Sequence, residues 1–291
     1  MRIDVALATC AALPEPDADM APLLDALRAS GMSAEAVAWD APDADFGSSR
    51  VTVLRSTWNY PLRPAEFLAW VDRTARITAL HNPAHVVRWN AHKGYLLDLE
   101  AAGVPVAPTC LLRRGDRSTL ADVMRARGWR EVVVKPAVSA ASRDTLRVGP
   151  AELERGEAHL RALVAREDVL VQPFLPSVEG PGERAVVWID GAPTHAVRKS
   201  PRFCGDAESV SAAVPIADDE AALARRAVAA APGPLLYARI DMARDDQGEP
   251  VVMELELIEP SLFFPQSHEA LARYAAAVGH RVVEARASRS G

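Results

Sequence analysis

The sequence predicts an α/β protein: an open α/β sheet at the N-terminus, followed by α+β lobes. Three observations carry that expectation. The first 55 residues alternate strand-like and helix-like runs, the pattern of an open sheet covered by helices. Asp190-Gly191 separates two strand-like runs, and that dipeptide suits a tight hairpin turn. The stretch from Leu236 to Leu262, LYARIDMARDDQGEPVVMELELIEPSL, reads as two more strands about a polar turn.

Ile3–Thr9 is a short apolar run suited to a buried strand. Met20–Ser30 has helical spacing, with Leu23, Leu24 and Leu27 on one face, and Gly31 ends it. Ala34–Trp39 and Val51–Leu54 read as strands. The loop Arg55-Ser56-Thr57-Trp58-Asn59-Tyr60-Pro61 follows directly, where open sheets bind ligands. Its cation, hydroxyls, amide and amphipathic rings suit a small polar substrate, which makes Arg55, Ser56, Trp58 and Tyr60 substrate candidates. The same rings could equally close over the core. Phe67–Ala75 reads as a helix, Leu80–Pro83 opens a short one, and Asn90–Ala102 forms another that carries Lys93. His81, His85 and His92 are too loosely spaced for a zinc site.

Cys110–Leu112 reads as a strand and Thr119–Arg127 as a helix. Glu131–Pro136, EVVVKP, is a buried strand ending in Lys135. An amine there needs an anionic partner, although a snorkelling surface lysine fits the same pattern. The small residues that follow, including Ser139 and Ser142, let backbone N–H groups and hydroxyls approach phosphate oxygens. Thr145–Val148 returns as a strand, Ala151–Val164 is an amphipathic helix, and Val169–Leu175, VLVQPFL, is a strand running into a connector. Glu183–Ile189 and Pro193–Lys199 form the hairpin about Asp190-Gly191, ahead of a loop at Pro201–Asp206 and a helix at Asp218–Ala230.

In the last hairpin, strands at Leu236–Ala243 and Val251–Ile258 bring Asp241, Glu254 and Glu256 to a common side. Three crowded carboxylates are expected to raise one another's pKa values and to attract Mg2+ or Mn2+. A solvated hairpin with acids on its wet face fits the acidic pattern alone. Glu259-Pro260-Ser261 carries the acidic run into a loop, where ligand-contacting groups tend to lie. Glu269–Val278 is the closing helix, and the tail after Arg281 is expected to fray.

An apolar content of 49% over 291 residues supports a sizeable core. A net charge of −6 argues against a general nucleic-acid binder. Three scattered cysteines make neither a disulfide framework nor a Cys-x-x-Cys metal site, which suits a reducing, cytoplasmic setting. The N-terminus lacks the apolar core of a signal peptide, and no apolar run is long enough to span a bilayer.

With Lys93, EVVVKP, VLVQPFL, GERAVV and RIDM…MELELIEP in this order, the chain resembles the ATP-grasp superfamily from about Asn82 onward. Its RSTW loop, KPAVSA segment and ELELIEPSLFF ending resemble the O-ureido-serine cyclo-ligases of cycloserine biosynthesis and their relatives. The resemblance implies an ATP-grasp fold behind an N-terminal pre-ATP-grasp domain. It implies a division into residues 1–104, a central lobe at 105–180 and a C-terminal lobe with the metal site at 181–291. It implies that Lys93 and Lys135 reach ATP phosphates, that Gln172, Pro173, Phe174 and Leu175 hold adenine, and that Glu183 binds ribose. Asp241, Glu254 and Glu256 match magnesium ligands, and Arg198 and Arg239 match catalytic cations near the transferred phosphate. Substrate choice would fall to the loops 55–60, 198–204 and 261–266, with Ser261 among the contacts. Two departures stand out: SAASRD lacks the glycines many relatives carry in the phosphate loop, and Glu256 replaces a common Asn. The implied activity is an ADP-forming carboxylate–amine ligase acting on a small molecule, compatible with a homodimer. A non-catalytic ATP-binding sensor is the alternative.

Overall fold

The computed structural model describes residues 2–140, 142–180, 182–200 and 209–287. Among these it holds three four-stranded sheets. The first comprises β1 (Ile3–Thr9), β2 (Ala34–Ala38), β3 (Ser49–Leu54) and β4 (Ala79–His81), all parallel in the order β2-β1-β3-β4. Successive residues of β1 serve two cores. Val5 and Leu7 pack with α1 (Met20–Ala29) and α8 (His268–Ala287), while Ala6 and Ala8 face the aromatic cluster of Trp39, Phe46, Phe67 and Trp70. A strand buried on both faces has no polar side to show, which is why its run is almost continuously apolar. Phe67 and Trp70 lie on α2 (Pro64–Ile77), which starts at Pro64, a residue whose fixed φ suits the first helical turn.

The second sheet is antiparallel, β5-β8-β6-β7, from β5 (Cys110–Leu112), β6 (Val132–Pro136), β7 (Leu146–Val148) and β8 (Val169–Pro173). Helices α5 (Leu120–Arg127) and α6 (Leu153–Val164) cover one face through Leu120, Val123, Leu160 and Leu163. The third sheet, β10-β9-β11-β12, is also antiparallel: β9 (Glu183–Ile189), β10 (Ala192–Lys199), β11 (Tyr237–Arg244) and β12 (Pro250–Glu256). Asp190 and Gly191 turn between β9 and β10 with φ of 45° and 88°, the left-handed pair a two-residue hairpin requires. One face of this sheet packs on α1 and α8; the other takes α4 (Tyr95–Ala101) and α7 (Asp218–Ala229).

Strand β12 lies at an edge, yet its backbone is not left open. Asn90 donates to Leu255 O at 2.7 Å and accepts from Leu257 N at 2.9 Å, Tyr95 Oη accepts from Leu255 N, and Pro105 O accepts from Val252 N. Asn82 ties Leu257 O and Tyr237 O to the end of the first sheet. Covering the edge in this way satisfies buried polar groups and holds the acidic hairpin rigidly.

Several boundaries differ from expectation. The helix expected at Asn90–Ala102 starts later, as α4; the short helix opened by Leu80–Pro83 is α3 (Ala84–Asn90), and Lys93 lies on the turn between the two rather than on a helix. Leu80–His81 belongs to β4, whose three residues are too few to show a period. Helix α8 runs on to Ala287 rather than fraying after Arg281. Arg281 pairs with Asp190, and Arg286 bonds Asp4, so tertiary contacts hold that end. The loop expected at Pro201–Asp206 lies outside the described residues.

Candidate active site

A cavity of about 240 Å³ opens between the second and third sheets, with loops of the first sheet along its side. The strand ends decide what lines it. β6 ends in Lys135, and β8 delivers Gln172 and Pro173 before Phe174 and Leu175. Glu183 opens β9 and Lys199 closes β10, two residues paired across that hairpin. On β11 and β12, Arg239 faces Glu256 and Asp241 faces Glu254 in the strand register. The first sheet contributes Trp58 and Tyr60 from the loop after β3, and Glu15 from the loop after β1. Ser139, Ser142, Glu259 and Ser261 also line it.

The carboxylates and cations interlock. Lys135 Nζ donates to Glu254 Oε1 at 2.6 Å and Lys93 Nζ to Glu254 Oε2 at 2.7 Å. Lys199 Nζ bridges Glu183 at 2.6 Å and Asp241 at 2.7 Å. Arg239 grips both oxygens of Asp241, at 2.8 and 2.9 Å, and reaches Glu256 at 2.5 Å. The planar guanidinium fork matches a carboxylate in this two-point way.

Mutual elevation of the three hairpin carboxyls was the expectation; the cations change it. Burial disfavours a charged Glu254, yet Lys135 and Lys93 hold its carboxyl well below the usual range. Against burial, Arg239 and Lys199 hold Asp241 at about 2. Only Glu256 of the three moves upward: burial, opposed by Arg239 and Lys199 but reinforced by Asp241 and Glu254, pushes it to about 7. Burial and neighbouring Glu256 push Glu259 well above the ordinary value, and burial raises Glu183 despite Lys199. Among the described residues no three or more His, Cys, Asp or Glu side chains converge to hold a metal. Asp241, Glu254 and Glu256 remain hard oxygen donors, each already turned to a cation.

Phe174 lies under the Arg147 guanidinium, 3.6 Å from carbon to ring centroid, and Glu131 and Glu179 hold that arginine in place. Gln172 is buried and donates to Thr109 Oγ1 at 2.9 Å, so its side chain sets the connector's position.

Three sequence candidates lie elsewhere. Arg198 is exposed and outside the cavity lining; strand alternation turns Lys199 inward instead. Lys199 escaped the sequence reading, although it ends the return strand of the same hairpin. Arg55 is only 1% exposed and bonds Asp19 at 3.2 Å and Pro260 O at 3.1 Å, which makes it a buried tie to the loop after β12. Ser56 is fully buried against Thr9, their hydroxyls 3.0 Å apart. Of the loop 198–204, residues 201–204 lie outside the described residues.

Residues 5–82 match the family model described as the N-terminal domain of D-cycloserine synthetase DcsG. The chain is 36% identical over 297 residues to the cycloserine biosynthesis protein DcsG of Streptomyces lavendulae, covering 96% of this chain and 98% of that protein. It superposes on the crystal structure of D-cycloserine synthetase DcsG with a TM-score of 0.88 at 35% identity, over 96% of this chain and 99% of that one. The ATP-grasp ligase PsnB, solved with a minimal precursor, Mg and ADP, shares the fold at a TM-score of 0.67 and 18% identity, over 97% of this chain and 99% of that one.

Proposed function

Since the chain belongs to the DcsG family within the ATP-grasp superfamily, we propose that it activates a small carboxylate-type substrate as an acyl phosphate and joins it to an amine, from the same molecule or a second one. It is an ATP-dependent, C–N bond-forming ligase. The observation that carries the finer reading is the grip of Lys135 and Lys93 on Glu254 from two separate parts of the fold. Two buried ammonium groups on one carboxylate can turn toward phosphate oxygens without crossing the cavity.

The donor set fits magnesium. Six carboxylates line the cavity (Glu15, Glu183, Asp241, Glu254, Glu256 and Glu259) against four cations (Lys93, Lys135, Lys199 and Arg239). That excess of negative charge suits a divalent cation. A preformed three-carboxylate cage is not required, because Mg2+ completes its shell with phosphates and water. Asp241, Glu254 and Glu256 would hold it, and the bound ion neutralises charge on the phosphates.

In this reading Lys93 and Lys135 bind phosphate oxygens, with Ser139 and Ser142 beside them. Gln172, Pro173, Phe174 and Leu175 receive the adenine, and Glu183 the ribose. Arg239, joined by Lys199 rather than Arg198, faces the reacting centre. A donor placed where negative charge develops contributes about 3 kcal/mol to the transition state. Trp58, Tyr60 and Ser261 shape the substrate end. The chain divides near residues 104 and 180, so that the cavity lies between the central and C-terminal lobes.

The test is product analysis. Amino acids and small carboxylates, O-ureido-serine among them, are screened for substrate-dependent release of ADP and phosphate. Glu254→Ala should abolish that release while the protein stays folded. Release of AMP and pyrophosphate would mean adenylation and would overturn the mechanism.

A further inference from the structure

We propose that Arg147 is a positioning residue of the nucleotide site: from behind Phe174 it holds that ring in the orientation that receives the base. The proposal deepens the ligase reading above and rests on its placing of adenine at residues 172–175. Gln172 on β8, Val133 on β6 and Arg147 on β7 are register partners in one row across the second sheet. Gln172 and Val133 line the cavity, and Arg147 stands one strand further out, beyond the lining. Its neighbour Val148 turns the other way, into the core with Leu160 and Leu163 of α6.

The guanidinium carbon is 3.6 Å from the centre of the Phe174 ring, the separation of a planar cation stacked flat on an aromatic face. Phe174 itself lines the cavity, so the ring stands between the arginine and the ligand space. Two acids fix the arginine: Nε donates to Glu131 Oε1 at 2.6 Å, and a terminal nitrogen donates to Glu179. Glu131 acts twice, because its backbone carbonyl accepts from Phe174 N at 2.9 Å. The backbone and the ring of Phe174 therefore take their places from one residue and the cation it holds. Arg147, Glu131 and Glu179 are all partly exposed, and ion pairs in that setting add little to stability. What they restrict is a half-buried ring that would otherwise turn about its side-chain torsions. A ring fixed before the ligand arrives leaves less to be ordered on binding. Arg147 lies outside the lining, so it reaches the nucleotide only through Phe174.

The test is a double-mutant cycle read by isothermal titration with a non-hydrolysable ATP analogue and Mg2+, so it does not wait on turnover. Arg147→Ala should weaken binding roughly 10-fold, the scale of one well-formed cation–ring contact, while the melting midpoint of the unliganded protein stays near wild type. Phe174→Ala should weaken binding at least as much. The double variant should bind no more weakly than Phe174→Ala alone, because the arginine acts through the ring. Arg147→Lys keeps the charge but neither the planar stack nor the two-acid fork, so it should bind the analogue as weakly as Arg147→Ala. Losses at the two positions that multiply overturn the proposal. So does wild-type affinity in Arg147→Ala, or full recovery in Arg147→Lys. Wild-type affinity in Phe174→Ala overturns it by removing adenine from the connector. Wild type that fails to bind the analogue removes the ligase reading itself, a result separate from all of these.

Discussion

Lys135 Nζ lies 2.6 Å from Glu254 Oε1, joining the second sheet to a hairpin 119 residues further on. Both groups are largely buried, with side-chain exposures of 8% and 22%. The pair bridges the two walls of the cavity, and Lys93 occupies the other oxygen of the same carboxylate.

Lys135→Ala should therefore weaken binding of a non-hydrolysable ATP analogue with Mg2+ by roughly 30-fold, the scale of one charged hydrogen bond. Isothermal titration measures it. Equal affinity in variant and wild type would remove Lys135 from the phosphate site.

Arg198 and Lys199 are neighbours with opposite fates. Arg198→Ala should change stability by less than about 0.5 kcal/mol, as exposed substitutions do, and leave ligase activity near wild type. Lys199→Ala leaves Glu183 without its amine and Asp241 with Arg239 alone. It should cost about 3 kcal/mol in a denaturant melt and lower activity by roughly 100-fold. Similar behaviour of the two variants would contradict the side-chain alternation of β10.

Arg55 should act through folding rather than substrate. Removing one partner of a buried ion pair costs about 3–5 kcal/mol, and Arg55–Asp19 is such a pair. Asp19 also accepts hydrogen bonds from the backbone N–H groups of Leu262, Phe263 and Phe264. Arg55→Ala should lower the urea midpoint sharply. Its folded fraction should keep a substrate KM near wild type; a large rise in KM at full stability would restore Arg55 as a substrate contact.

Glu256 gives the fold a pH dependence with a definite sign. Its carboxyl titrates at about 7 in the folded chain against an ordinary 4.5. Between those values the folded chain holds a proton that the unfolded chain has released, so this residue's contribution falls as pH rises through the window. Glu256→Gln removes the titration. It should stabilise the protein by about 1–3 kcal/mol near pH 8 and hardly at all near pH 4. Thermal melts at the two pH values check this, and an equal gain at both would exclude Glu256 as the titrating group.

Local sequence carries the order and type of most elements, β4 excepted, and much of the cavity lining. Val132–Pro136 and Val169–Pro173 are apolar runs with one polar residue at or near the end, so strand geometry alone commits Lys135 and Gln172 to a position. The Asp190-Gly191 turn sets the β9–β10 register. Asp241, Glu254 and Glu256 share a side because strands alternate. How these groups are compensated follows from packing alone. Arg55 and Lys199 are both cations near strand ends. One is fully enclosed by Asp19 and Pro260, the other bonds Glu183 and Asp241 on strands of its own sheet at the cavity wall. Nothing local to Arg55 marks that difference, since its partners lie 36 and 205 residues away. The same holds for the hairpin carboxyls: local spacing places them together, but the sign of each pKa shift depends on amines delivered from other elements. Strand period is a property of the neighbouring backbone, whereas charge compensation at short range is settled only once distant segments have packed.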